Sequence, residues 1–325
     1  MMAARRFVSG LAEPFEAFVA EKHALGYRYA SAENAIRALD RHLHALGYKA
    51  ASLPQAVVDA WTAKRAHESA GTHGARVAIV RQLARWLQRH GVESYVPPSL
   101  TGPIAKVQFT PRIFTHAEVR RLLAGGSSLS TDARAPHRHV VMPALFRVLY
   151  GCGLRCGEAL RLTSGDVDLA HGVLTIRQGK FRRDRLVPLA PSLLARLRTY
   201  ATDLGERPAS AIFFPAPHGG SYSLQAPYTT FRRLLRAAGI PHGGRGRGPR
   251  VHDLRHTFAV HRLEAWYRGG ADLGAKLPLL SAYMGHASIA ATQQYLRLTA
   301  ELFPDVAARM EETVGRWLPR ARTAP

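Results

Sequence analysis

Tyr295 stands nine residues after His286, and both follow the run His252-Asp253-Leu254-Arg255-His256. Upstream lies Gly153-Leu154-Arg155-Cys156-Gly157-Glu158. These stretches place a phenol, two arginines and two histidines in an order that suits attack on a phosphodiester. Two guanidinium forks can grip the non-bridging oxygens of one phosphate, and a phenol oxygen can serve as a covalent nucleophile. The set needs no carboxylate cluster, so neither a metal nor a cofactor is expected.

Each piece has a plainer reading beside the chemical one. Arg155 follows a glycine turn and opens a helix, and a helix N-terminus with a guanidinium is a phosphate seat. Glu158, three residues on, is placed to orient it. Alone, the motif is equally an ordinary ion pair at a helix start. His252 and Arg255 are three apart and share one helix face, where an imidazole beside a guanidinium can donate to a phosphate oxygen or carry a proton. His256 reads as a core or capping histidine without a role in the pattern. His286 falls at a helix break, in Met284-Gly285-His286-Ala287-Ser288, and Ser288 is the expected cap of the helix carrying Tyr295. A lone tyrosine there is most often a packing residue; its order after the other motifs reverses that reading. Lys180 sits on a predicted hairpin turn, where it can protonate a leaving oxygen, with Arg182, Arg183 and Arg185 competing for the part.

The charge agrees with a polyanionic partner. The chain has 325 residues, 45 Lys+Arg against 23 Asp+Glu, and a formal charge of +22. Residues 1–100 hold 13 basic and 8 acidic side chains, leaving 32 and 15 for residues 101–325. The stronger phosphate grip is therefore expected in the later part. Double-stranded DNA is the expected partner, with Arg182, Arg183, Arg245, Arg247 and Arg250 as candidate contacts. Two cysteines, Cys152 and Cys156, make no disulfide framework. With no signal peptide and no long apolar run, a cytoplasmic protein without a membrane partner is expected. The four-residue spacing within Cys152/Cys156 and within His252/His256 leaves zinc chelation as a minor alternative.

The elements that must position these residues form a mainly α chain with a small β-sheet (α+β). Residues 10–92 read as four helices. Ile36, Leu39, Leu43 and Leu46 recur at helical spacing after an N-cap at Ser31. Val77, Ile79, Val80, Leu83, Trp86 and Leu87 do so before a stop at Gly91. The proline-rich stretch 97–103 reads as a linker. Thr115-His116-Ala117-Glu118 reads as a capping box. Residues 172–177 and 185–189 read as the strands of a hairpin. Further helices are expected over 137–151, 155–163, 191–204, 228–239, 253–267, 278–285 and 289–297, with 243–250 as a basic loop. The domains follow: a helical unit at 1–98, a linker at 99–111, a second domain at 112–299 and a tail at 300–325.

On these residues the chain resembles a tyrosine recombinase of the phage-integrase family. Arg155, Lys180, His252, Arg255, His286 and Tyr295 match that family's pattern in order, and 185–189 matches its hairpin. Cys156-Gly157 departs from it, where the family often has a larger residue and Ser or Thr. The resemblance implies an N-terminal core-binding (SAM-like) domain ahead of the catalytic domain. It implies that Tyr295 forms a 3′-phosphotyrosyl bond while Arg155, Arg255 and His286 hold the phosphate. His252 would accept the phenol proton and Lys180 would protonate the 5′ oxygen. It implies a homo-oligomer, a dimer on each site and a tetramer in the synapse, with the tail docking on a neighbouring protomer and sibling recombinases as further possible partners. A transposon or other mobile element is the expected setting. The alternatives are a type IB-like DNA-relaxing enzyme and a non-catalytic DNA-binding accessory protein.

Overall fold

The computed structural model describes residues 7–27, 29–100, 110–127, 129–131, 133–177, 184–244, 248–298 and 308. The chain divides into two compact units, Met1–Phe109 and Thr110–Pro325. No helix among the described residues is long and apolar enough to cross a membrane.

The first unit packs α1 (Ala12–Ala24), α2 (Ala30–Ala45), α3 (Gln55–Thr62) and α4 (Ala70–Arg89) around Phe15, Phe18, Leu39, Leu43, Leu83 and Leu87. Ser69 caps α4 by accepting the Thr72 N–H at 3.1 Å, the expected use of a short hydroxyl at a helix start. Asp40, 1% exposed, accepts the Val8 and Ser9 N–H groups at 2.8 and 2.9 Å and pins the incoming chain. Two expectations fail here. Ser31 is not the cap of α2: the helix starts two residues earlier than that cap implies, at Ala30 behind Tyr29, which takes a left-handed φ of 44° and makes no side-chain cap. Tyr29 is held there by its edge-on ring contact with Phe18 and its hydroxyl bond to Gln82. Leu46 lies past the end of α2 and is 61% exposed, outside the apolar stripe.

The second unit holds α5 (His116–Ser127), α6 (Arg138–Gly151), α7 (Cys156–Ala159), β1 (Val167–Asp168), β2 (Val173–Ile176), β3 (Arg185–Pro188), α8 (Pro191–Leu204), α9 (Gln225–Ala237), α10 (Asp253–Arg268), α11 (Leu273–Met284) and α12 (Ala290–Gln293), which runs into a 3-10 turn at Gln294–Leu298. Thr115 and Glu118 form the expected capping box, with bonds of 3.1 and 3.0 Å. The sheet is antiparallel in the order β1-β2-β3, with Val173 opposite Pro188 and Ile176 opposite Arg185. Strand β1, two residues long, has no period to read. The helix expected over 155–163 is a single turn. Thr163 bonds Asp166 through both its N–H and its hydroxyl, and the Leu162 carbonyl accepts from Phe213. These local partners replace a continued helix ladder. Helix α11 begins before Pro278, because Asp272 accepts the Gly274 N–H at 2.7 Å and starts the helix there. The main core, including Phe114, Leu145, Phe146, Leu149, Phe214, Phe231 and Leu254, is the platform for the site.

Candidate active site

The site is built where the chain before α7, strand β3 and the ends of α10 and α11 converge. Gly153 opens it. Its φ is +59°, and a Cβ there would fall 2.5 Å from Phe258, so both the backbone and the packing require glycine. Its carbonyl accepts from Arg255 Nη1 at 2.5 Å. Two residues on, Arg155 is extended and Glu158 reaches back to the Arg155 N–H at 3.1 Å. The short helix α7 therefore serves to turn one carboxylate toward the arginines.

Three arginines meet there on one stretch of backbone. Arg185 Nε donates to the Tyr283 carbonyl at 2.9 Å, Arg255 Nη2 to Met284 at 2.7 Å and Arg155 Nη2 to Gly285 at 3.1 Å. These are consecutive carbonyls at the C-terminal end of α11, where helix carbonyls lack internal partners and the helix dipole is negative. Gly285, at φ +67°, closes the helix, and a Cβ there would lie 2.8 Å from Arg185 Nη1. Glu158 is the anion among them. It accepts from Arg155 Nη1 at 2.7 Å and from Arg185 Nη2 at 2.8 Å, and is 5% exposed. Burial would raise its pKa, but the bonds and charge of Arg185, then the bonds of Arg155, outweigh it and hold the carboxyl at about 2. Arg255 is 2% exposed. Burial, then the charge of Arg155, brings it down to about 10, so it keeps its charge at neutral pH.

The phenol comes from the 3-10 turn after α12. Tyr295 is 2% exposed and its hydroxyl lies 3.1 Å from His256 Nδ1. Burial raises its pKa, with Arg255 and Arg155 pulling the other way. His286 stacks on the Tyr295 ring at 6.0 Å and bonds Thr292 Oγ1 through Nδ1 at 2.7 Å. His252 packs edge-on against His256, with ring centroids 4.8 Å apart. Burial, then neighbouring positive charge, lowers all three histidines: His256 to about 3, His252 and His286 to about 4. The surface of His252 stays open to water.

Arg155, Glu158, Arg255, His286 and Tyr295 thus come together with His252 at their edge. Arg250 lies at the start of α10, its N–H bonded to Asp253 at 2.8 Å. Lys180, Arg182, Arg183, Arg245 and Arg247 lie outside the described residues, as does the tail but for Ala308. Ser288 does not cap the turn with its side chain; its carbonyl accepts from Ala291 instead. Two residues of the cluster escaped the sequence reading. His256, read as a core or capping residue, is the histidine bonded to the phenol. Arg185, read only as a rival to Lys180, shares Glu158 with Arg155. Burial pushes the Cys152 and Cys156 thiols up to about 12 and 11. Neither that pair nor His252/His256 joins a third ligand among the described residues.

The Phage integrase family model matches residues 112–301. The integrase/recombinase-type protein y4rE of Sinorhizobium fredii is 30% identical over 306 residues, covering 93% of this chain and 96% of that protein. Tyrosine recombinase XerC of Rhodospirillum centenum is 34% identical over 248 residues, covering 74% and 67%. Among solved structures, the Tn1549 transposon integrase in complex with a circular intermediate DNA aligns with a TM-score of 0.60 at 16% identity, over 92% of this chain and 99% of that one. A lambda integrase dimer bound to a core site aligns at 0.58 and 16% identity, over 88% and 76%. These two likenesses are of fold.

Proposed function

The chain belongs to the phage integrase family, and we propose that the arginine cluster on the end of α11 is the phosphate seat of its strand-exchange site. The protein is a tyrosine-type, site-specific DNA recombinase that cleaves and rejoins strands without metal or ATP. The observation that carries the site assignment is the fixing of Arg155, Arg185 and Arg255 by three consecutive carbonyls beside the buried Tyr295. Three cations with one carboxylate leave a local excess of two positive charges, which a phosphodiester would offset.

In this reading Tyr295 Oη attacks phosphorus, the phosphotyrosyl bond forms and the bond to the 5′ oxygen breaks. The phenol proton passes to the histidine pair, His256 being at hydrogen-bond distance and His252 beside it. Arg155 and Arg255 stabilise the equatorial oxygens, and His286 donates a further hydrogen bond. Such fixed donors are commonly the largest catalytic contribution. Lys180 protonates the leaving 5′ oxygen, and Arg182, Arg183, Arg245, Arg247 and Arg250 line the DNA backbone. The 5′ hydroxyl of a partner strand then attacks the phosphotyrosine and releases Tyr295. We place the enzyme on a mobile element, as a dimer on each site and a tetramer in synapsis, with the 300–325 tail docking on a neighbouring protomer. Residues 1–98, within the first unit, would be the core-binding domain.

The test is adduct trapping. Wild type and Tyr295→Phe are incubated, without magnesium, with nicked suicide duplexes carrying the ends of the flanking element. A denaturation-resistant protein–DNA adduct in the wild type alone is expected. An adduct that persists in Tyr295→Phe would overturn the assignment of the nucleophile.

A further inference from the structure

We propose that His116, His261 and Glu264 form a binding site for one divalent transition-metal ion of the zinc type, built between the start of α5 and the middle of α10. The ligand atoms of these three side chains all lie within 4.8 Å of one another. The two imidazoles stack with centroids 3.8 Å apart and planes 27° from parallel. His261 is 7% exposed and Glu264 1% exposed.

The hydrogen bonding around His261 selects the coordinating atom. Its Nδ1 lies 2.9 Å from the Tyr150 hydroxyl. With Nδ1–H donating to that oxygen, the lone pair resides on Nε2, and Nε2 is buried without a hydrogen-bond partner. Metal-bound histidines have this arrangement: one ring nitrogen on the ion, the other anchored to an oxygen. Two imidazoles and a carboxylate are a zinc-type donor set, with a fourth position left for water or another ligand.

The ligand atoms need to close by up to about 1.5 Å to sit around an ion at 2.0–2.2 Å. His116 can supply that movement, since it is the first residue of α5 and is exposed. An open cavity of about 450 Å³, lined by His116, Tyr150, His261, Arg147, Arg196 and Arg262, gives access from solvent. Its arginines favour an anionic fourth ligand. The site is distinct from the phosphate seat: five residues separate His261 from His256, which places it about 140° around α10. A metal there would tie α5 to the helix carrying His252, Arg255 and His256. The proposal does not depend on the recombination chemistry.

Full-length, tag-free protein is stripped with chelator and titrated with cobalt(II), then zinc(II), and the zinc content is measured after dialysis. One ion per chain is expected, with visible cobalt bands of four-coordinate geometry, zinc displacing the cobalt, a zinc Kd below about 1 μM and a rise in Tm on binding. His116→Ala should leave the metal-free Tm unchanged. It should weaken zinc by more than the about 10–100-fold typical of losing an outer partner, and should abolish the cobalt bands. Failure to bind stoichiometric zinc would overturn the proposal. So would full binding by His116→Ala, which would move the ion to other histidines such as His252, His256 and His286.

Discussion

Replacing Glu158 with glutamine tests whether one buried carboxylate holds the phosphate seat together. Glu158 has a pKa of about 2 against an ordinary 4.5, and its side chain is 2% exposed. A shift of that size corresponds to about 3 kcal/mol. The carboxylate is favoured in the folded state. Its contribution is therefore complete above pH 4.5 and is lost as pH falls through about 2. Glu158→Gln should destabilise the protein by about 3 kcal/mol at pH 7, because Arg185, 11% exposed, loses its anion. At pH 3.5 the deficit should shrink to about 2 kcal/mol. Urea unfolding of wild type and variant at both pH values measures it. A bound duplex should restore part of the loss, since a phosphate can take the place of the missing charge. A deficit below about 1 kcal/mol at pH 7, or one equal at both pH values, would refute the account of Glu158 as an electrostatic keystone.

The other expectations concern single contacts. His256→Ala removes the only hydrogen bond found for the Tyr295 hydroxyl to a histidine among the described residues; single-turnover cleavage should slow by about 10²–10⁴ with duplex affinity unchanged, and a wild-type rate would reduce that bond to packing. Arg255→Lys keeps the charge but cannot span the Gly153 and Met284 carbonyls, so cleavage should fall by about 10²–10³ in the same assay. Asp40→Ala strands the Val8 and Ser9 N–H groups and should cost about 2–4 kcal/mol in urea unfolding without touching the catalytic residues.

What the sequence made legible follows from how each feature is encoded. Ile36, Leu39 and Leu43 repeat at the helical period, and the structure buries all three. Thr115 and Glu118 are a local pair, and their bonds close as that spacing implies. Arg155, Arg255 and Tyr295 each sit in a linear motif, so the sequence singles them out. His256 was not, because its role arises from the tightening of the chain into a 3-10 turn that brings Tyr295 against α10. Arg185 was one arginine among several near the hairpin; only the fold carries its Nε to Tyr283. The acceptors that organise all three arginines are backbone carbonyls, and no side-chain letter reports them. The His116 site was hidden for a related reason: residues 116 and 261 are distant in the chain and meet only when α5 packs beside α10.

The charge pattern links this architecture to the chemistry. Arg155, Arg185 and Arg255 are held by peptide dipoles rather than by three carboxylates, so most of their positive field is left uncancelled. Burial, with that field, keeps His252, His256 and His286 unprotonated, which leaves them able to accept a proton. The field also favours the phenolate of Tyr295 against the burial that opposes it. A phosphodiester entering the seat would bring a negative charge beside the same groups. It would ease protonation of the histidines as the phenol loses its proton, and would leave His286 better able to donate. The ligand charge therefore favours the histidine half of the proton transfer, while the phenol half rests on the arginines, whose charges lower the Tyr295 pKa and outnumber the single negative charge of the phosphodiester.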